Sequence, residues 1–367
     1  MRYYSFHDVN IQSVTSRCLA GGGREVESVS ILTVTDSTMP FAAQLDLLLQ
    51  NVRILTEKEG APVFMRFFLS DPANQAAALK EKAVFDCPVS VIGQAPLNGT
   101  KIAAMVWCRK DAKVKRVSDK LFKVTERGID EFWYTCGVSD AEGSYAQTVT
   151  LLDDLDGQLK QQGLTLRDDC MRTWLFVQNI DANYSGVVNG RNDVFDRIGL
   201  TADTHFIAST GIEGRTENRH YKVMLDAVAV SGPGVSVKFL HGATHLNRTS
   251  QYGVRFERGT VVDYPDRKHI YISGTASIDN KGEILFEGDI IQQTARMIEN
   301  VEVLLSEGGC SFADVAAMTV YLRDPSDYAV VERLFSERFP DYPRIITLAP
   351  VCRPGWLIEM ECVAISC

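Results

Sequence analysis

Arg344 and Glu359, close to the C-terminus, are the pair in this chain best suited to chemistry on a small acid. The rigid arginine fork matches a carboxylate in bidentate fashion. A glutamate on a neighbouring strand, once partly buried, has its pKa raised into the range useful for proton transfer. Glu359 lies in the run LIEMECVAI, where it and Glu361 alternate with Ile358 and Met360. The polar face of an amphipathic strand would look the same. Two related runs separate the readings: KIAAMVW puts Ala103, and KVMLDAVAV puts Met224, where Glu359 stands. An apolar residue in both marks a buried face, and a buried carboxylate without a task is costly. Glu359 therefore reads as functional. Asp226 matches Glu361 in a run that otherwise lacks the pair, so Glu361 reads as structural. For Arg344 the bland alternative is an ion pair with a surface acid.

The residues just quoted belong to a repeat of three stretches of similar length. Each has a long amphipathic helix, opening near Gln44-Leu45, Gln147-Thr148 and Gln293-Thr294 and closing near Gly60, Gly163 and Gly308. A strand follows and runs into an aspartate: FMRFFLSDP (Asp71), RTWLFVQNID (Asp181) and MTVYLRDP (Asp324). Because they recur, these aspartates are expected to cap the next helix. Another helix and two strands complete each stretch. The units divide at 1–112, 120–245 and 250–367, the second including a Gly- and Ser-rich connector with one short strand. Asp36 to Pro40 reads as a helix start. The expected class is α+β: mixed sheets, each with two helices on one face. Inner strands apolar on both faces require the sheets to pack against one another, which three units around an axis would satisfy.

Composition narrows the partners. The 367 residues are 45% hydrophobic and 23% charged, ample for two or three packed domains. No apolar run approaches the roughly 20 residues of a membrane span, and MRYYSFHDVN lacks a secretory core, so a cytoplasmic protein without membrane contact is expected. A net charge of −9, with RKDAKVKR as the longest basic run, argues against nucleic acid. The nine cysteines show no framework spacing and read as reduced thiols. His241 and His245 read as loop residues rather than metal ligands, Gly21 to Gly23 as a turn rather than a phosphate loop. No metal or cofactor is expected.

The third stretch resembles the Rid (YjgF) superfamily, whose units are chorismate-mutase-like. The resemblance rests on SGTAS after a strand, QT on the long helix, VYLRD, the YPR segment and the closing LIEMECVAI strand. It implies a trimer-like arrangement with clefts between units. It also implies that Arg344 binds a substrate carboxylate, that Glu359 positions water, and that the backbone of Gly274 and Thr275 completes the pocket floor. Residues from about 130 onward are similar to the chorismatases in RTW, GRNDVF, STGIEG, VKFLHG, QYGVRFERG, SGTASI and CRPGWLIEME. That likeness implies Glu359 as general acid and Arg344, Arg353 and either Arg255 or Arg258 as anchors, with Tyr252 as a hydrogen-bonding group. The segment after QYG is shorter here than in chorismatases, which leaves the choice between Arg255 and Arg258 open. Cys352, seven residues before Glu359, resembles the subclass that releases 3-hydroxybenzoate; otherwise it is a small core residue.

Three functions follow as expectations. The first is cleavage of the enolpyruvyl ether of chorismate, or of a related carboxylated ring, with release of pyruvate. The second is hydrolysis of an enamine or imine by Arg344 and Glu359, as in Rid-type deaminases. The third is non-catalytic binding of a small carboxylate. The older ribonuclease label of some Rid proteins finds no support in the charge balance. Fused units imply a monomeric pseudo-trimer, with a higher oligomer still open.

Overall fold

The computed structural model describes residues 1–250 and 253–367; Tyr252, singled out above, lies outside the described residues. The first unit opens with a hairpin that the sequence pattern leaves unassigned, β1 (Arg2–Asp8) and β2 (Ile11–Ala20). It continues with β3 (Arg24–Val34), α1 (Phe41–Glu59), β4 (Ala61–Leu69) and α2 (Pro72–Lys82). It closes with β5 (Val89–Gly93), the two-residue β6 (Ala95–Pro96) and β7 (Ile102–Arg109). The second unit begins with β8 (Lys113–Arg116), β9 (Leu121–Glu126), β10 (Ile129–Gly137) and α3 (Gly143–Lys160). After it come α4 (Leu166–Asp169), β11 (Cys170–Val177), α5 (Ile180–Ile198), β12 (Ala208–Glu213) and β13 (Val223–Ser231). In the third are β14 (Ser236–Leu240), β15 (Gly259–Asp263), β16 (Lys268–Ala276) and α6 (Ile290–Glu307). β17 (Val315–Leu322), α7 (Tyr328–Arg338), β18 (Arg344–Leu348) and β19 (Ile358–Ser366) complete it.

Among the described residues the strands form three mixed sheets of one plan: β1-β2-β3-β7-β4-β5, β8-β9-β10-β13-β11-β12, and β14-β15-β16-β19-β17-β18-β6. In each, one parallel pair follows the central antiparallel strands: β4 with β5, β11 with β12, β17 with β18. Register confirms the alignment of the repeat. Ala103 pairs with Phe68, Met224 with Phe176, and Glu359 with Tyr321. β14, in the stretch that reads as a connector, pairs with β15 and so joins the third sheet.

Within each unit the helices cover one sheet face, as where Leu45, Leu48, Leu49 and Val52 of α1 meet Met65 and Phe67 of β4. The opposite faces of all three sheets meet in one continuous cluster containing Phe64, Trp107, Trp133, Trp174, Phe176 and Tyr271. This is an intramolecular pseudo-trimer. Strand edges close the ring: β6 pairs with β18, Gly93 with Arg215, and Ile212 with Val351. Buried ion pairs cross the same centre. Arg66 binds Asp226 at 2.9 Å and Arg172 binds Glu361 at 2.7 Å, each across a unit boundary. Arg109 reaches Glu27 at 2.8 Å and Glu131 at 2.9 Å, and Glu27 also holds Arg267 and His269 of the third unit. Glu361 is thus structural, and Trp174 donates to it as well, at 3.0 Å.

Two expectations change. Cys18 and Cys367 form a disulfide between the first and third units, so the cysteines are not all free thiols. Sequence spacing gave no sign of it, because residues 349 apart meet only when the ring closes. Of the three recurring aspartates, Asp324 caps its turn by accepting from Ser326 N at 2.8 Å, but Asp71 precedes α2 without a side-chain cap bond. Asp181 lies inside α5 and pairs with Arg323 of the third unit. Among the described residues no helix is long and apolar enough to cross a membrane.

Candidate active site

Glu359 stands at the start of β19, flanked by β16 and β17. The β16–β19 register shifts between Ile272 and Thr275, and this irregularity brings Gly274 against the glutamate. A Cβ on Gly274 would lie 2.0 Å from Glu359 Oε1, so only glycine leaves room for the carboxyl. Gly274 N donates to Thr210 Oγ1 of the second unit at 2.9 Å. Thr210 in turn donates to Glu361 at 2.6 Å, which ties the glycine's position to the central ion pairs. Thr275, expected beside it at the pocket floor, is buried, and its hydroxyl donates to Ser273 O at 2.8 Å. Gly274 lines the cleft; Thr275 is not among its lining residues.

The cleft around Glu359 lies between the second and third units. The second unit contributes Tyr184 and Arg191 from α5. These are seven residues apart, two turns along one helix face. Gly186 and Gly190 let α5 lie close on α3: an added Cβ would come within 2.2 Å of Ser144 Oγ at the first and 2.7 Å of Tyr145 O at the second. From the third unit come Phe256, Arg258, Cys352, Arg353 and Trp356. The cleft arginines have aromatic support. Arg258 and Arg191 lie 5.3 Å and 5.9 Å from the Phe256 ring centroid, and Arg353 lies 4.8 Å from that of Trp356. Arg258 also donates to Asn247 Oδ1 at 3.1 Å.

The electrostatics separate the acid from its surroundings. Burial, and after it the neighbouring charge of Glu361, pushes the Glu359 carboxyl up to about 8 against the opposing pull of Arg172 and Arg258. The group is therefore chiefly a neutral acid at pH 7, in a cleft whose other charged side chains are the guanidinium groups of Arg191, Arg258 and Arg353. Burial, and then the charge of Glu359, pushes the Cys352 thiol up to about 12. Its hydrogen-bond partner is Tyr184, itself raised well above the usual phenol value by burial. Cys352 faces the cleft as a thiol rather than a thiolate, which disfavours a nucleophilic role.

The residues singled out in the sequence thus divide. Glu359, Cys352, Arg353, Arg258 and Gly274 share one cleft. Arg255 does not line it: its guanidinium pairs with Asp196 and donates to Asn192 O at 3.1 Å, fastening the loop to α5. Arg344 is not brought to Glu359 either. It opens β18 in a second cleft, between the first and third units, beside Asn98, Tyr328 and Tyr342. There it binds Glu332 at 2.7 Å, Ser336 Oγ at 2.7 Å and Phe339 O at 2.9 Å. The reason is topological: Arg344 pairs with Met318 and Glu359 with Tyr321, three residues further along β17 and on its other side. The sequence pattern missed Arg191, Tyr184, Phe256 and Trp356. Arg191, Phe256 and Trp356 sit inside GRNDVF, QYGVRFERG and CRPGW, segments that carried the resemblance without marking these residues for the site; for Tyr184 the signal was the Tyr-x6-Arg spacing along α5.

Comparison with known proteins agrees with this architecture. The family model described as Endoribonuclease L-PSP matches residues 260–366. A RutC family protein of Pyrococcus abyssi is 38% identical over 97 residues, which is 26% of this chain and 76% of that protein. The 3-aminoacrylate deaminase RutC of Acinetobacter baylyi is 31% identical over 97 residues, 26% of this chain and 77% of the relative. A 3-hydroxybenzoate synthase of Streptomyces hygroscopicus is 27% identical over 214 residues, covering 52% of this chain but only 62% of its own length. A crystal structure of a chorismatase superposes with a TM-score of 0.65 at 18% identity, over 83% of this chain and 93% of the other, a likeness of fold.

Proposed function

This chain belongs to the Rid (YjgF, RutC) superfamily, and on that premise we propose that it cleaves the enolpyruvyl ether of chorismate or of a closely related carboxylated ring compound. The observation that carries the proposal is the neutral, buried Glu359 in an arginine-lined cleft between the second and third units. Chorismate has two carboxylates for the arginines to hold and an enol ether whose methylene carbon accepts a proton. Glu359 donates that proton, and the ether carbon becomes an oxocarbenium ion. Capture by water gives a hemiketal that collapses to pyruvate and a dihydroxycyclohexadiene carboxylate, the proton returning to Glu359. Capture by the ring hydroxyl instead consumes no water and leads to pyruvate and 3-hydroxybenzoate. Arg191, Arg258 and Arg353 anchor the carboxylates, and Cys352 lines the wall beside the acid. The likeness to a 3-hydroxybenzoate synthase supports the second outcome.

The test is incubation of the purified protein with chorismate, measuring pyruvate and resolving the ring product by chromatography. Pyruvate with 3-hydroxybenzoate is expected, and Glu359→Gln is expected to remove it while leaving the fold intact. A folded wild-type protein that releases no pyruvate overturns the proposal and moves the reading to imine hydrolysis, for which 2-aminoacrylate-type substrates are the assay.

A further inference from the structure

We propose that the outer edge of β1 is a homodimer interface, at which two copies of this chain join their first sheets antiparallel about a twofold axis at Ser5. β1 is the terminal strand of its sheet, paired on one side with β2 over seven residues without a register shift. A regular, uncovered edge of this length is a template for another strand, and proteins usually blunt such edges with lysine, proline or a bulge. β1 (RYYSFHD) has none of these. Among the described residues the other edges are protected: β14 (SVKFL) carries Lys238, ion-paired to Asp263, and β6 is only two residues long. β8 (KVKR) would set Lys and Arg against their own kind, β12 is bridged to the third unit at Ala208–Glu257 and Ile212–Val351, and β5 is bridged to Arg215.

The β1 sequence is self-complementary. About a dyad at Ser5, antiparallel pairing sets Arg2 opposite the partner's Asp8 and Tyr4 opposite the partner's Phe6. All four side chains lie on one face by strand alternation. The result is a ladder of ion pair, aromatic pair, aromatic pair and ion pair; moving the axis by one residue breaks both ion pairs and leaves a single aromatic pair. That face also carries exposed apolar surface of the first unit. Tyr4 is 40% and Phe6 54% exposed, and with Ile54 of α1, 55% exposed, they line a groove between the hairpin and the helix. Continuing the sheet would bring a second copy's Tyr4, Phe6 and Ile54 over the same groove, an isologous contact of the kind twofold dimers use. The cleft around Glu359 lies between the other two units, so dimerisation leaves it open.

The test uses charge reversal on the full-length chain, with mass measured by light scattering and by sedimentation equilibrium across a concentration series. The wild type is expected to dimerise reversibly. Arg2→Asp or Asp8→Arg alone sets like charges opposite each other at both ends of the ladder and should weaken the dimer at least tenfold. The double variant Arg2→Asp/Asp8→Arg restores opposite charges and should recover the dimer, which a loss of folding could not do. A wild type that stays monomeric at 100 micromolar (a concentration chosen on the order of weak homodimer affinities), or single variants that dimerise as the wild type does, overturns the proposal. A double variant no better than the singles overturns the register.

Discussion

A general acid must hold its proton at the pH where it works, and Glu359 does so because burial and the neighbouring Glu361 outweigh Arg172 and Arg258. Turnover therefore depends on the protonated form: the rate should hold below pH 8 and fall as pH rises through about 8. The same shift has a consequence for stability. A folded-state value above the unfolded one means that stability is full below the ordinary glutamate range and is lost as pH rises toward 8. Glu359→Gln should therefore be inactive yet more stable than the wild type at pH 9, by on the order of 5 kcal/mol, measurable by urea unfolding. A variant with no gain at pH 9 would show that the carboxyl is ionised at neutral pH. Glu359 was legible in the sequence because the repeat supplied its own controls, Ala103 and Met224. Arg191 was not, because its unit has no glutamate to mark a site and its meeting with Arg258 exists only after two units pack.

At the scale of elements, the irregularity in β16 decides how the acid is held. Gly274→Ala would put a methyl 2.0 Å from Glu359 Oε1, so the carboxyl must turn away. We expect kcat to fall by about a hundredfold, the equivalent of nearly 3 kcal/mol, with a smaller loss of stability. Unchanged kcat in a folded Gly274→Ala protein would show that the acid works from another rotamer. Helices and central strands were readable from apolar periodicity, since each helix lays one apolar stripe on its own sheet. The β1–β2 hairpin was not. In β2 small hydroxyls occupy buried positions, as where Ser16 donates across the unit boundary to Ala316 O at 2.7 Å and Thr15 meets Ser30 of the same sheet at 2.8 Å. A strand buried through serine and threonine carries no alternating apolar signal.

The whole molecule is held as a ring, and its charged centre is where the ring is most exposed to single changes. Burial alone would raise the Glu27 carboxyl, but Arg109, His269 and Arg267 hold it well below the usual carboxylate range. Its contribution is present above the unfolded carboxylate value near pH 4 and is lost as pH falls through the lowered one, so acid should loosen all three units together. Glu27→Gln leaves buried cations short of a partner and should cost about 3–5 kcal/mol in denaturant unfolding; a loss below about 1 kcal/mol would mean that the network is internally redundant. The same ring sets two clefts side by side on the third unit, one holding Glu359 and the other Arg344. That division was hidden from the sequence, where the two residues sit at the family's spacing and resemble one site. Comparing chorismate turnover by Glu359→Gln, Arg258→Met and Arg344→Met tests most directly which cleft works. The account predicts that Arg344→Met keeps turnover within a few-fold of wild type, while Glu359→Gln abolishes it and Arg258→Met lowers kcat/KM by roughly ten- to a hundredfold. Loss of turnover in Arg344→Met, with Arg258→Met unaffected, would place the chemistry in the other cleft and contradict it.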